Sequence, residues 1–130
     1  MAEIRKAESG TTGEIRVHVE RRCPGEPLQR ARKVFDDLGM ARTAHRNGVL
    51  IYIALADRRF AIVGDEGVHG KVGDDYWNGI RDAMAERFRK GEFCEGICEA
   101  VRGIGDTLSS VFPGQPGDRD ELPNEIDVGD

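Results

Sequence analysis

The sequence predicts an α/β fold, a small three-layer α/β/α sandwich on a mixed sheet that contains a β-hairpin. Three observations carry this. Residues 14–20 alternate, with Ile15, Val17 and Val19 on one face and Arg16, His18 and Glu20 on the other. Val49 to Leu55 is apolar without interruption and is followed, after a short connection, by Phe60 to Val63. Between and after these strands, apolar residues recur at helical spacing. A strand, a helix and a second strand imply a right-handed crossover that sets the first two strands parallel. Two further helices then cover the free face of the sheet.

Each element has a local reason. The first strand is entered through Ser9-Gly-Thr-Thr-Gly13, and its alternation predicts a half-buried strand. Pro27 suits the first turn of a helix whose stripe is Leu28, Ala31, Val34, Phe35 and Leu38, with Gly39 ending it. The unbroken run from Val49 predicts a central strand covered on both faces. Ala56-Asp-Arg-Arg59 is short enough to make the next pairing an antiparallel hairpin. A glycine-rich acidic segment from Gly64 to Asp75 reads as a flexible turn, after which Asp74 caps a helix carrying Trp77, Ile80, Met84 and Phe88. The last helix places Phe93, Ile97, Val101, Ile104, Leu108 and Phe112 on one side. Its Gly96, Gly103 and Gly105 each cost about 1 kcal/mol against Ala, and close packing against the sheet is the expected compensation. Pro113 stops it. Residues 10–112 thus form one α/β domain, and 113–130 form an acidic Pro/Gly-rich tail in which Leu122, Ile126 and Val128 are able to dock.

Charge narrows the function classes. The formal net charge is −5, and the tail, with six acids and one base, accounts for all of it. The body is neutral and offers no basic field for a phosphate backbone, so no nucleic-acid partner is expected. No apolar run reaches the roughly 18 residues of a membrane span, and the first residues lack a secretory pattern. Three cysteines are too few and too odd for a disulfide scaffold. A cytoplasmic monomer without a membrane partner is the expectation.

The hairpin brings Arg46 and Asn47, before the second strand, beside Asp65 and Glu66, after the third. Asp74 and Asp75 follow nearby. The Gly64–Asp75 segment is no phosphate loop: Asp65 stands where that motif needs Gly, and Val72 replaces its Ser or Thr. Its acids also miss the alternate positions of an EF-hand. Clustered hard oxygens remain, of the type suited to Ca²⁺ or Mg²⁺, from Asp65, Glu66, Asp74, Asp75 and Asn47. The plain alternative is a capping Asp74, a solvated Asp75, and Asp65 or Glu66 paired with Arg46. His69, inside the segment, is either an acid/base or ligand group or a solvated loop histidine. No serine sits in a nucleophile elbow. Cys94 and Cys98 share a helix face but lack further zinc ligands, and read as small buried hydrophobes.

Several stretches together resemble the TPM domain family: Thr12-Gly-Glu-Ile-Arg-Val-His-Val19, Arg46-Asn-Gly-Val-Leu-Ile-Tyr-Ile53, Asp57-Arg-Arg-Phe-Ala-Ile-Val-Gly64, the Gly67-to-Asp75 segment, and Phe88-Arg-Lys-Gly91 before Phe93-Cys-Glu-Gly96. The resemblance, to soluble bacterial members, covers about residues 10–112. It implies a Rossmann-like α/β/α sandwich, divalent-cation binding and, by analogy with plant members, acid phosphatase activity. Two departures stand out: Arg46 replaces an acid common at the entry to the second strand, and two acids lie in the glycine-rich turn. The expectation is therefore a soluble TPM-type accessory module that binds Ca²⁺ or Mg²⁺ at the acidic sheet edge. The alternatives are a metal-dependent phosphatase on phosphomonoesters and an interaction domain without a metal site, serving a protein partner.

Overall fold

Alternation in one strand and continuity in the next produce a parallel pair: β1 (Glu14–Glu20) and β2 (Gly48–Ala54) align from Glu14 opposite Gly48 to Glu20 opposite Ala54. β3 (Arg59–Gly64) returns antiparallel to β2, closing the expected hairpin. The computed structural model describes Ile4, Glu8, residues 10–114 and the backbone of β4 (Ile126–Val128). Leu122 and the tail acids Asp118, Asp120, Glu121, Glu125 and Asp130 lie outside the described residues. β4 runs parallel to β1 along Val17–Val19, giving the order β3-β2-β1-β4.

Helices cover both faces. α1 (Pro27–Asp37) starts on its proline and buries Ala31, Val34 and Phe35 against Leu50, Tyr52, Ala54 and Ala61. Of its predicted stripe, only Leu28 stays exposed. A 3-10 turn, Met40–Arg42, follows Gly39. On the opposite face α2 (Glu66–Arg89) and α3 (Phe93–Val111) pack Val68, Trp77, Met84, Val101, Ile104 and Leu108 onto Ile15, Val17, Val49, Ile51, Ile53 and Ile62. β2 therefore sends alternate side chains into two cores, which is why its sequence shows no polar face. Each full burial contributes about 1.5–3 kcal/mol. None of the described helices is long and apolar enough to cross a membrane.

Four details differ from the sequence expectation. The Gly64–Asp75 segment is not a turn: α2 begins at Glu66, capped by Asp65, and only Gly73 (φ 77°, ψ 176°) breaks its helical path. Asp74 opens the second of the two helical runs, directly after the Gly73 kink, so a helix does start where the sequence expects one, and the unexpected part is the run from Glu66 that precedes it. The polar face of β1 is also buried, with Glu20 2% and His18 6% exposed. Glu20 can be buried because it accepts from Arg30 Nε at 3.0 Å, from the Tyr52 hydroxyl, and pairs with His18 Nε2 at 3.1 Å. Gly96 compensates its helix cost against α2 rather than the sheet, since a Cβ there would lie 2.8 Å from the Phe88 ring. Cys94 is exposed and Cys98 half-buried, because the buried side of α3 runs through Gly96, Ala100, Ile104 and Leu108.

Candidate site at the acidic end of the sheet

The corner where β2 begins and β3 ends is tied together by main chain. The Asp65 amide donates to Gly48 O at 2.9 Å, and the Gly67 amide to Arg46 O at 2.9 Å. Gly67 is needed for this approach: a Cβ would lie 2.6 Å from Arg46 O and also strike His45 O. Asp65 then opens α2, its Oδ1 accepting from the Glu66 amide at 2.8 Å. The first helical turn favours a negative charge at that place.

Arg46 sits in the left-handed region (φ 50°), held by the hydrogen bond its amide donates to Thr43 O at 3.2 Å. Its guanidinium grips Asp65 with two bonds, Nε to Oδ2 at 2.8 Å and NH2 to Oδ1 at 2.9 Å, and its NH1 reaches Glu66 Oε1 at 3.3 Å. The Asp65 carboxylate beside it pushes the Arg46 pKa up. Asp65 is buried, whereas Glu66 is exposed.

The other predicted residues are spread around this pair. Asn47 is fully buried and turned inward: its Nδ2 donates to Thr12 Oγ1 at 3.1 Å, and its amide to Thr43 Oγ1 at 3.1 Å. Its Oδ1 has no hydrogen-bond partner among the described residues. Asp74 and Asp75 are exposed past the kink. His69 bridges that kink, accepting from Trp77 Nε1 on Nδ1 at 3.2 Å and facing Asp74 Oδ1 with Nε2 at 3.5 Å. An indole N–H only donates, so Nδ1 carries no proton in this bond and the ring proton belongs on Nε2. His69 thus joins the two halves of α2. An open cleft of about 620 Å³ lies alongside, lined by residues of both signs, including Glu66 and Asp74 with Arg32 and Arg81.

These residues share a neighbourhood without forming a chelating set. Among the described residues, no three His, Cys, Asp or Glu side chains converge closely enough to hold a metal ion. Both Asp65 oxygens are taken by Arg46 and a helix amide, and a guanidinium occupies the place between Asp65 and Glu66. As arranged, the set does not fit a divalent ion, which needs several oxygens turned toward one point.

The family model described as TPM domain matches residues 1–107. The chain belongs to the TPM domain family. Its fold is shared with the NMR structure of the BA42 protein from the psychrophilic bacterium Bizionia argentinensis, at 42% identity and a TM-score of 0.91, over 98% of this chain and 88% of that one. The N-terminal domain of a P. gingivalis protein is similar at 25% identity and a TM-score of 0.71, over 85% and 72% of the two chains. An N-terminal domain from Corynebacterium glutamicum, at 12% identity and a TM-score of 0.59 over 96% and 72%, shares the fold alone. No curated protein matches the chain. Within this TPM domain the sequence alternative of an Arg46 ion pair is the arrangement found, with both Asp65 and Glu66 engaged. The buried Glu20–Arg30–Tyr52–His18 cluster was missed. The available signal was the tyrosine inside the apolar β2 run, whose hydroxyl needs a partner when buried.

Proposed function

We propose that this TPM domain is a non-catalytic accessory module whose acidic corner is closed by its own arginine, a tethered cation in the place a divalent ion would take. The observation that supports this is the two-pronged contact of Arg46 on Asp65 with its further reach to Glu66. Such planar pairing satisfies both carboxylate oxygens and fixes the start of α2 against the start of β2. The corner then serves as a rigid joint, and the exposed surfaces around it meet a protein partner.

The test is a Ca²⁺ and Mg²⁺ titration followed by amide shifts. The expected result is no saturable change in residues 46–47 or 64–75 below millimolar metal in the parent, and such a change once Arg46→Ala frees the acids. Saturation in the parent at micromolar metal overturns the reading. Turnover of p-nitrophenyl phosphate should equal that of an Asp65→Asn/Asp74→Asn double variant; a loss of activity in that variant would speak for the phosphatase instead.

A second reading keeps the cation. Glu66, Asp74 and Asp75 carry exposed carboxylates on the first turns either side of Gly73, and Ca²⁺ or Mg²⁺ would bind weakly there if Arg46 turned away from Asp65. The same titration separates the two, because this reading requires the parent to respond and the Arg46 resonances to move with it.

A further inference from the structure

At the opposite end of β2 lies a second cleft, of about 640 Å³, between the β2–β3 turn and the junction of α2 with α3. Its apolar side is aromatic. Phe88 meets Phe60 edge-on (centroids 5.2 Å apart, 82°) and stacks on Phe93 (4.7 Å, 22°). Three arginines, Arg58, Arg59 and Arg89, stand on its lining, and among the described residues no carboxylate does. Arg89 is paired with Glu86 at 3.0 Å. Arg58 and Arg59 have no carboxylate partner among the described residues; Arg59 only reaches the Gly25 carbonyl at 3.5 Å. In a body whose charges balance, two exposed guanidinium groups beside three phenylalanine rings form a local positive field.

From this juxtaposition we propose that the cleft binds a small amphiphilic organic anion: a flat apolar body against Phe60, Phe88 and Phe93, with an anionic head on Arg58 and Arg59. Guanidinium groups suit the paired oxygens of carboxylate, sulfonate or phosphate heads. The volume falls within the range of small-molecule sites, about 300–1,000 Å³. The cleft also opens at the carboxyl end of the parallel strands, where ligands of open α/β sheets bind. Arg58 holds a left-handed backbone (φ 53°) in the turn, its amide donating to Leu55 O at 3.3 Å. A bulky residue in that conformation is uncommon outside turns and functional positions. The proposal does not depend on how the acidic corner works.

The test uses the full chain with two probes of nearly the same shape, 1-anilinonaphthalene-8-sulfonate and the uncharged N-phenyl-1-naphthylamine, followed by fluorescence and amide shifts. The sulfonate is expected to saturate with shifts confined to residues 53–60 and 85–93, about tenfold tighter than the neutral analogue, a factor in keeping with a charge-assisted contact. Arg58→Gln with Arg59→Gln should weaken the sulfonate by at least about tenfold and leave the neutral probe unchanged. Circular dichroism of that exposed double variant checks that the fold is retained. Equal affinity for the two probes, shifts centred elsewhere, or no saturation below about 1 mM sulfonate overturns the proposal.

Discussion

The two ends of β2 carry arginines under opposite conditions. Where the strand begins, Arg46 is fully matched: Asp65 takes it with two bonds and Glu66 with a third. Where the strand leads into its turn, Arg58 and Arg59 face an aromatic cleft with no carboxylate among the described residues of its lining. A matched charge spends its hydrogen bonds on holding two backbone segments together. An unmatched one keeps them for a molecule that is not part of the chain. The acidic residues are the conspicuous cluster in the sequence, but on the proposed reading their corner is a joint and the basic, aromatic end is the open one.

The scale for a matched charge is set by Glu20, which is far more buried than Asp65's partner Arg46. Glu20→Ala strands Arg30, the Tyr52 hydroxyl and His18, and is expected to cost about 3–5 kcal/mol in urea unfolding. Mainly through the Arg30 hydrogen bonds, with Tyr52 and His18 adding to them, the Glu20 pKa is lowered from 4.5 to about 2. A carboxylate depressed in the folded state stabilises it above the unfolded pKa, so this contribution is complete above pH 4.5 and is lost as pH falls toward 2. The linked loss is about 3 kcal/mol. Urea midpoints measured across that window should fall in the parent and lie nearly flat in Glu20→Gln; a parallel fall in both would show that other carboxylates govern the acid limb.

Gly67→Ala addresses the joint itself. The added methyl meets two backbone carbonyls, not a flexible side chain, and should cost about 2 kcal/mol. Amide shifts are expected around residues 45–48 and 65–69, with residues 85–93 unmoved. If the cleft end moves as well, the two ends are coupled and the contrast between them weakens.

Arg46→Ala should lower the unfolding midpoint less than Gly67→Ala, since the exposed guanidinium is screened by water and Asp65 keeps its helix amide. Its larger effect should be on metal response, with Ca²⁺-dependent shifts appearing near residues 64–75. The smallest stability effect is expected for Arg58→Gln with Arg59→Gln, within about 0.5 kcal/mol of the parent, despite the loss of anion binding. A stability loss comparable to that of Gly67→Ala would mean that these arginines are structural.

Much of the fold could be read directly. The alternation at Ile15, Val17 and Val19, the run from Val49 to Leu55 and the short Ala56–Arg59 connection are local patterns, and they define the parallel pair and the hairpin. The start of α2 was not legible. Glycines at 67, 70 and 73 resemble a turn, and the reason for Gly67 is a pair of carbonyls some twenty residues earlier in the chain. The approach of Arg46 to Asp65 follows from the hairpin register, which sets the start of β2 beside the end of β3. The aromatic cleft left no signal of its own. Phe88 and Phe93 fit helical stripes, Phe60 fits a strand, and Arg58 and Arg59 fit a turn; only the packing of α2 and α3 on the hairpin gathers them.

The parallel pairing of β4 with Val17–Val19 has a bearing on how the chain assembles. Its contacts join segments from opposite parts of the sequence, and closing so long a loop carries an entropic cost. During synthesis β1, β2 and β3 are complete well before Ile126 is made. Until then one margin of β1 stands bare, with the unpaired amides and carbonyls that invite pairing between chains. Pairing with β4 covers that margin along Val17–Val19, so a three-residue strand made more than a hundred residues later blunts the edge of β1.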